Sequence, residues 1–203
     1  MIASVEDLRL KVSARAPGIR GAARGDHDLN PGMAPPENPR RAAVLVPIVQ
    51  RAAEPTIILT RRTDHLAHHP GQISFPGGRI EPEDPTPEAA ALRETQEEIG
   101  LGPDNVEVLG RLDTYETRTG FTITPVVGLV RPTFSLSLDP VEVAEAFEVP
   151  LSFVLDPANH QRHSRTWQGM ARSFWVLPYL NYYIWGATAG MLVNLSEVLR
   201  SRP

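Results

Sequence analysis

The chain has 203 residues, of which 41% are hydrophobic and 22% are charged. This length and composition are ordinary for one globular domain with a buried core. The formal net charge is −4, so a broad basic surface for nucleic acid is not expected, although a few local arginines can still bind a small anion. Cysteine is absent, which excludes disulfides, zinc–thiolate sites and cysteine nucleophiles.

The start of the chain lacks an apolar signal core, and the longest apolar stretches, such as residues 42–49, are too short to cross a bilayer. We therefore expect a cytoplasmic protein with no membrane partner. Residues 4–14 are predicted to form a short amphipathic helix. Residues 17–40 are rich in Gly, Pro, Asn and Asp, which is typical of a loop. The sequence thus indicates an N-terminal helix and extension, residues 1–40, and a main domain, residues 41–203.

The main domain alternates between strand-like and helical patterns. Strands are predicted at residues 42–50, 56–60, 106–109, 122–130, 174–177 and 182–185 and at Trp167, and helices at residues 87–99, 141–146 and 188–199. Residues 65–78 are predicted to be irregular because of their Pro-Gly and Gly-Gly pairs. This pattern predicts an α/β domain with a helix packed on at least one face of the sheet.

The best specified element is the helix at residues 87–99. Thr86 is a suitable N-cap, Pro87 fits the first helical position, and Glu88 suits the positive end of the helix dipole. Gly100 supplies the left-handed stop. Four residues on one stripe are predicted to face the sheet, namely Ala89, Leu92, Gln96 and Ile99.

Three glutamates lie on another face of this helix within an arc of about 100°, namely Glu94, Glu97 and Glu98. Glu94 and Glu98 repel each other by about 0.2–0.5 kcal/mol at i,i+4, and the helix dipole disfavours anions in the last turn by ~0.3–1 kcal/mol each. Arg93 relieves only part of this repulsion. The cluster predicts a compensating cation, and carboxylate oxygens suit Mg²⁺ or Mn²⁺. The alternative is a solvated acidic helix face.

A Phe-Pro-Gly-Gly turn at residues 75–78 favours the cation. Its two glycines let the backbone come close to an ion or a phosphate, and the carbonyl of Gly77 is a candidate further ligand. Residues 78–101 resemble the Nudix box, Gly-x5-Glu-x7-Arg-Glu-U-x-Glu-Glu-x-Gly-U, where U is aliphatic. Thr95 replaces one aliphatic residue, and Asp84 stands where the first glutamate is expected. Between Gly78 and Arg93 there are 14 residues, one more than in the motif.

A second motif resembles the signature of the coenzyme A pyrophosphatase branch, Leu-Thr-x-Arg-Ser/Ala-x3-Arg-x3-Gly-x3-Phe-Pro-Gly-Gly. Residues 59–63, Gly71 and residues 75–78 keep every spacing of this signature. Thr63 is a mild change within it. Ala67 replaces the second arginine, a place that Arg61 or His68 can fill. Residues 142–145, 149–151 and 184–189 also look like this branch.

The resemblance implies a Nudix fold, in which a mixed β-sheet is sandwiched between α-helices. It implies a metal-dependent hydrolase that cleaves the diphosphate bond of coenzyme A and its derivatives, with Mg²⁺ or Mn²⁺ as cofactor. The products would be phosphopantetheine, or its acyl form, and adenosine bisphosphate. The expected partner is therefore a small nucleotide substrate, and family analogy also allows a homodimer.

The site residues follow from these motifs. The expected metal ligands are Glu94, Glu97, Glu98 and the Gly77 carbonyl. The expected catalytic residues are Glu94, Glu97, Arg93, Glu142 and Glu145. The expected substrate-binding residues are Arg62, Thr63, His69, Gly71, Phe75 and Gly78. Three candidates for the general base stay open: Glu94, Glu142 and Glu145. An exposed helix face is the alternative for the latter two, and a surface ion pair is the alternative for Arg93.

Two other functions stay open. The first is a Nudix hydrolase acting on ADP-ribose, a dinucleoside polyphosphate or another nucleoside diphosphate derivative. The second is a nucleotide-binding module that has lost catalysis, for which loss of the box glutamates would be expected.

Overall fold

The computed structural model describes residues 5–13, 23–65, 70–167 and 169–201, with helices and strands as follows. The helices are α1 (Val5–Ser13), α2 (Pro87–Ile99), α3 (Leu151–Leu155) and α4 (Ala187–Arg200). The strands are β1 (Arg24–Gly25), β2 (Arg40–Val49), β3 (Thr56–Arg62), β4 (Ile73–Ser74), β5 (Gly77–Arg79), β6 (Val106–Arg111), β7 (Tyr115–Thr117), β8 (Phe121–Val130), β9 (Val143–Pro150), β10 (Gln161–Trp167), β11 (Met170–Tyr179) and β12 (Tyr182–Trp185).

The larger sheet is mixed and is built around the parallel pair β2 and β8. These strands are in register from Arg40 opposite Phe121 to Val49 opposite Val130. The strand order is β1-β7-β8-β2-β3-β4, with β5 paired to β2, β6 to β8 and β9 to β3. The apolar run that predicted β2 is buried from Ala42 to Val49, because both faces of the sheet are covered.

Two apolar clusters cover the two faces of this sheet. On one face α2 packs through Ala90, Ala91 and Ile99 against Leu45 and other residues of the sheet. On the other face α1, α3 and α4 pack together with the antiparallel sheet β10-β11-β12. Helices therefore lie on both faces of a mixed sheet, and the predicted α/β/α architecture is confirmed.

Most predicted elements are confirmed, and α2 has the predicted bounds. The predicted N-terminal helix corresponds to α1, whose Leu8 and Val12 are 1% and 0% exposed and lie in the core. The division of the chain at residue 40 stays a prediction. The extension is more regular than expected, because β1 and a 3-10 turn at Asp26–Leu29 lie in it. No helix in the described ranges is long and apolar enough to span a membrane.

The predicted helix at residues 141–146 is wrong, because this segment enters strand β9. β9 pairs with β3 from Thr56 opposite Pro150 to Arg62 opposite Val143, with a bulge near the last pair. Alternate residues Glu145, Phe147 and Val149 share one face of the sheet, a period that fits a strand. Pairing along the open edge of β3 therefore decided the conformation over local propensity.

The predicted buried stripe on α2 is confirmed only in part, because Ile99 belongs to the apolar cluster on this face of the sheet and Leu92 packs against it. Of that stripe only Ile99 is buried, and Gln96 is exposed. The helix instead turns Ala90, Ala91 and Thr95 towards the sheet, each 0% exposed. Thr95 tolerates burial because its hydroxyl donates a hydrogen bond to the Ala91 carbonyl at 2.6 Å, which satisfies its polar group within the helix.

Candidate active site

The ends of α2 are fixed by local interactions, as the sequence predicted. The Thr86 hydroxyl accepts a hydrogen bond from the Ala89 N–H at 3.2 Å, and Pro87 occupies the first turn. At the other end Gly100 is left-handed, with φ 71°, and its N–H donates to the Gln96 carbonyl. The caps fix where the helix begins and ends, and so they fix the height of the glutamates along it.

Two of the three helix glutamates are substantially buried. Glu98 is 5% exposed, and its carboxylate accepts a hydrogen bond from the Gly77 N–H at 3.2 Å. Burial raises the pKa of Glu98 to about 8, and this N–H opposes the rise only in part. Burial also raises the pKa of Glu94, although Arg93 opposes the shift. Glu97 is different, because 59% of its side chain is exposed and it contacts Arg93 at 3.0 Å.

The Gly-Gly turn lies directly against these acids. Gly77 has φ 146°, and a Cβ there would lie 2.5 Å from the Ala43 carbonyl oxygen. A Cβ on Gly78 would lie 2.5 Å from the carboxylate of Glu94. Glycine is required at Gly77, where both the positive φ and the backbone of β2 exclude a side chain, whereas a Cβ on Gly78 would displace the carboxylate of Glu94. Whether the Gly77 carbonyl binds a metal stays a prediction.

Arg93 holds the loop before α2 to the acidic face. Its Nε and Nη2 donate to both oxygens of Asp84, at 3.1 and 2.9 Å. Nη2 also donates to the Arg79 carbonyl at 3.2 Å, and Nη1 donates to Glu94 and Glu97, each at 3.0 Å. The hydrogen bonds from Arg93 lower the pKa of Asp84. Asp84 therefore occupies the position of the first box glutamate and pairs with Arg93. The loop between Gly78 and Arg93 is one residue longer than in the motif, and the aspartate side chain is shorter than that of glutamate.

Replacing Arg93 by Lys is expected to lower kcat by about 10- to 100-fold for the metal-dependent diphosphate hydrolysis that the Nudix resemblance implies. Lysine keeps the charge but lacks the planar five-donor fork, so it cannot hold Asp84 and orient Glu94 and Glu97 together. Steady-state kinetics with Mn²⁺ measures the effect. The matched control is Arg111→Lys, because Arg111 also pairs through two hydrogen bonds, at 2.6 and 2.8 Å, with Glu88 on the same helix. Equal losses of kcat in both variants would mean that Arg93 only stabilises the fold.

A second segment meets the C-terminal end of α2. The Asp139 N–H donates to the Glu98 carbonyl at 2.9 Å, and the Ser137 N–H donates to the Ile99 carbonyl at 2.9 Å. Glu142 follows in the same segment, lies 3.9 Å from Arg62, and contributes to the raised pKa of Glu98. The structure thus brings Glu142 and Arg62 to the glutamates of the helix. Sequence reasoning missed Asp139, although its Asp-Pro pair is a turn signal.

Glu145 lies on the opposite face of the sheet from α2. It is paired in register with Arg61, whose Nε donates to it at 3.3 Å, and it also accepts a hydrogen bond from the hydroxyl of Tyr182. Tyr182 in turn stacks on Phe147 with ring centroids 3.6 Å apart. Arg61 and Glu145 therefore join the two sheets, and the structure does not bring them to the helix glutamates.

The expected substrate-binding residues are dispersed. Arg62 is partly exposed beside Glu142. Thr63 is 6% exposed, and Phe75, at 2%, belongs to the apolar core. Gly71 has φ 65°, and a Cβ there would lie 2.8 Å from a carboxylate oxygen of Asp64. His69 lies outside the described residues, as do Ala67 and His68.

The acids fit a divalent ion by their chemistry more than by their present arrangement. As the side chains stand, the described part of the chain contains no group of three or more His, Asp or Glu residues that could hold a metal ion. Glu98 nevertheless offers hard carboxylate oxygens in a buried position, and Glu94 offers them in a partly buried one. The raised pKa of Glu98 means that the carboxyl is mainly protonated near neutral pH when no cation is near, and a bound cation would favour its charged form. Glu97 is held by Arg93 instead.

A mixed sheet between helices, with a Gly-Gly turn leading to an acid-lined helix, defines the class of Nudix hydrolases. The family model described as NUDIX domain matches residues 39–167. A protein of Citrobacter koseri named "Uncharacterized Nudix hydrolase NudL" is 41% identical over 82% of this chain and 86% of its own length. Its counterpart in Escherichia coli O7:K1 is 39% identical with the same coverage. The chain therefore belongs to the Nudix family, whose hydrolases generally use divalent metal ions.

Solved structures of lower identity also match part of the chain. A Caenorhabditis elegans Ap4A hydrolase in a binary complex has 19% identity and a TM-score of 0.48, covering 55% of this chain and 80% of that one. The NUDIX domain of Shewanella oneidensis NrtR in complex with ADP ribose has 18% identity and a TM-score of 0.42, covering 76% and 87%.

Proposed function

We propose that this Nudix hydrolase cleaves the diphosphate bond of coenzyme A and its derivatives, giving phosphopantetheine, or its acyl form, and adenosine bisphosphate. The observation that carries the proposal is the meeting of two motifs at one place. The buried Glu98 accepts its hydrogen bond from Gly77, which belongs to the coenzyme A signature and directly precedes Gly78, the residue that ends this signature and begins the Nudix box. Arg62, from the start of that signature, lies close enough to lower the pKa of Glu98.

The acids of α2 have the role of holding Mg²⁺ or Mn²⁺ in this proposal. Glu94 and Glu98 would hold the ion, and Glu97, which Arg93 contacts through one oxygen only, would supply a further carboxylate oxygen. When bound, the ion neutralises the charge on the diphosphate and makes a water molecule more acidic. Arg93 orients Glu94 and Glu97 through charge-assisted hydrogen bonds at 3.0 Å.

Glu142 is the candidate general base. Its carboxylate lies near both Arg62 and Glu98, so it is positioned to take the proton of a water that attacks a phosphate beside the helix. Glu145 is less suited, because its two oxygens already accept hydrogen bonds from Tyr182 and Arg61 on the other face of the sheet. Arg62 is suited to bind a phosphate oxygen, since its guanidinium offers several donors.

We expect incubation with coenzyme A and Mn²⁺ to release phosphopantetheine and adenosine bisphosphate, identified by mass spectrometry. The same assay is run on acetyl-coenzyme A, ADP-ribose and a dinucleoside tetraphosphate, each with Mg²⁺ and with Mn²⁺. A higher kcat/KM for any substrate without a pantetheine arm would overturn the assignment of substrate. Ligand binding without metal-stimulated product would indicate a binding module instead. A homodimer and a cytoplasmic location stay predictions.

A further inference from the structure

We infer that Thr63 and Asp139 are positioning residues that fix the carboxylate of Glu142 beside the helix glutamates. This inference rests on the proposed function and deepens it, because it explains how a residue from a turn becomes a precise part of the site. The relevant segment is residues 139–142, named here the acidic turn. It leads into β9, and its hydrogen bonds place Glu142 between the C-terminal end of α2 and the end of β3.

Thr63 ties the acidic turn to β3. Its hydroxyl donates to the Val141 carbonyl at 2.8 Å, and its N–H donates to the Glu142 carbonyl at 3.0 Å. Thr63 is only 6% exposed. A threonine hydroxyl has a single proton to donate, so here that proton serves the turn and is not offered to a substrate. Both bonds hold the backbone on either side of the Glu142 Cα.

Asp139 ties the same turn to the helix that carries the glutamates. Its N–H donates to the Glu98 carbonyl, and its own carbonyl accepts from the N–H groups of Glu142 and Val143 at 3.2 and 2.9 Å. Its carboxylate accepts from the Val141 N–H at 2.9 Å, so the turn is closed upon itself. The backbone of Glu142 is therefore linked to Glu98 through hydrogen bonds with Asp139. On its other side it is bonded directly to Thr63, the residue that follows β3.

Such fixing matters because a general base works only at hydrogen-bond distance from its proton, and a displacement of about 1 Å can lower a rate by roughly 100-fold. Residues that hold the turn should therefore affect kcat through Glu142, while leaving substrate binding nearly unchanged. A residue that served the fold alone would affect the melting temperature without this selectivity.

The test uses Thr63→Val, which has nearly the same shape but lacks the hydroxyl. With Mn²⁺ and the best diphosphate substrate, we expect kcat to fall by about 10- to 100-fold and KM to change less than about twofold. Thr63→Ser restores the hydroxyl and should recover most of the lost kcat. In a Glu142→Gln background, Thr63→Val should cause no further loss, because the group that it positions is already gone.

The matched control is Ser196→Ala, which also removes one buried hydroxyl-to-carbonyl bond, from Ser196 to Leu155 at 3.3 Å on α4. It should lower the melting temperature but not kcat. If Thr63→Val does not fold, the test uses Asp139→Ala in place of Thr63→Val and Asp139→Asn in place of Thr63→Ser. Asn is the rescue because it keeps the acceptor for the Val141 N–H. An unchanged kcat in Thr63→Val, or an equal loss with and without Glu142, overturns the inference. If the wild-type protein is inactive on every diphosphate, the proposed function is wrong, and this inference, which rests on it, is wrong as well.

Discussion

Replacing Glu98 by Gln is expected to lower metal-dependent diphosphate hydrolysis by about 10³-fold, the equivalent of ~4 kcal/mol of transition-state stabilisation. Glutamine has almost the same shape, but it lacks the negative charge with which a carboxylate binds a divalent ion. Its side-chain oxygen can still accept the hydrogen bond that Gly77 donates to Glu98. The loss should therefore be chemical, and single-turnover kinetics at saturating Mn²⁺ measures it.

The same variant should be more stable than the parent protein when no metal is present. Glu98 is 5% exposed, and its pKa of about 8 in the folded protein compares with 4.5 for an ordinary glutamate. At pH 7 the unfolded chain carries the charge freely, whereas the folded chain must bury it or bind a proton. This difference lowers the stability of the metal-free parent by roughly 3 kcal/mol at pH 7, and the neutral glutamine removes it. Urea unfolding in EDTA measures the gain.

Glu88→Gln is the control for both measurements, because Glu88 lies on the same helix but pairs with Arg111. That variant should keep its activity and lose some stability. If Glu98→Gln hydrolysed the diphosphate substrate at the parent's rate, Glu98 would not be a metal ligand. If it were also less stable than the parent in EDTA, the buried carboxyl would be stabilised by contacts other than a cation.

The helix of the site was predictable from sequence because its specification is local. Thr86, Pro87 and Gly100 fix its ends through contacts within four residues, and spacing along a helix places the glutamates on one face. The pairing of Asp84 with Arg93 could have been predicted for the same reason, since the two residues are only nine positions apart in the chain. Only their hydrogen-bond geometry shows that Asp84 serves where the motif has a glutamate.

The other half of the site was not predictable from local patterns. Residues 141–146 have a helical composition, yet they enter β9 because β3 offers an unpaired edge. The contact of Asp139 with Glu98 joins positions 41 residues apart in the chain, and that of Thr63 with Val141 spans 78 residues. No periodicity encodes such contacts. They depend on how the sheet closes, and this closure decides that Glu142 faces the helix and Glu145 does not.

Binding of Mn²⁺ should tighten steeply with pH, by up to about tenfold per pH unit between pH 5 and 8. An ion that binds the proposed ligand Glu98 must displace its proton, since the folded-state pKa of about 8 leaves this carboxyl protonated over this range. The raised pKa of Glu94 adds to the effect. Isothermal titration calorimetry at pH 6.5, in two buffers of different ionisation enthalpy, should report the release of about one proton per ion.

The stability of the metal-free protein must change in the opposite direction over the same window. Glu98 has a folded-state pKa above its unfolded value, so its contribution to stability is complete below pH 4.5 and is lost as the pH rises through about 8. The free energy of unfolding in EDTA should therefore fall from pH 5 to 8, and saturating Mn²⁺ should abolish this fall, because the carboxylate is then deprotonated in both the folded and the unfolded state. Glu98→Gln should weaken the pH dependence of both the Mn²⁺ affinity and the free energy of unfolding in EDTA. An affinity that does not depend on pH, with no proton released, would place Glu98 outside the ligand set, because an ion that binds this carboxylate has to displace its proton.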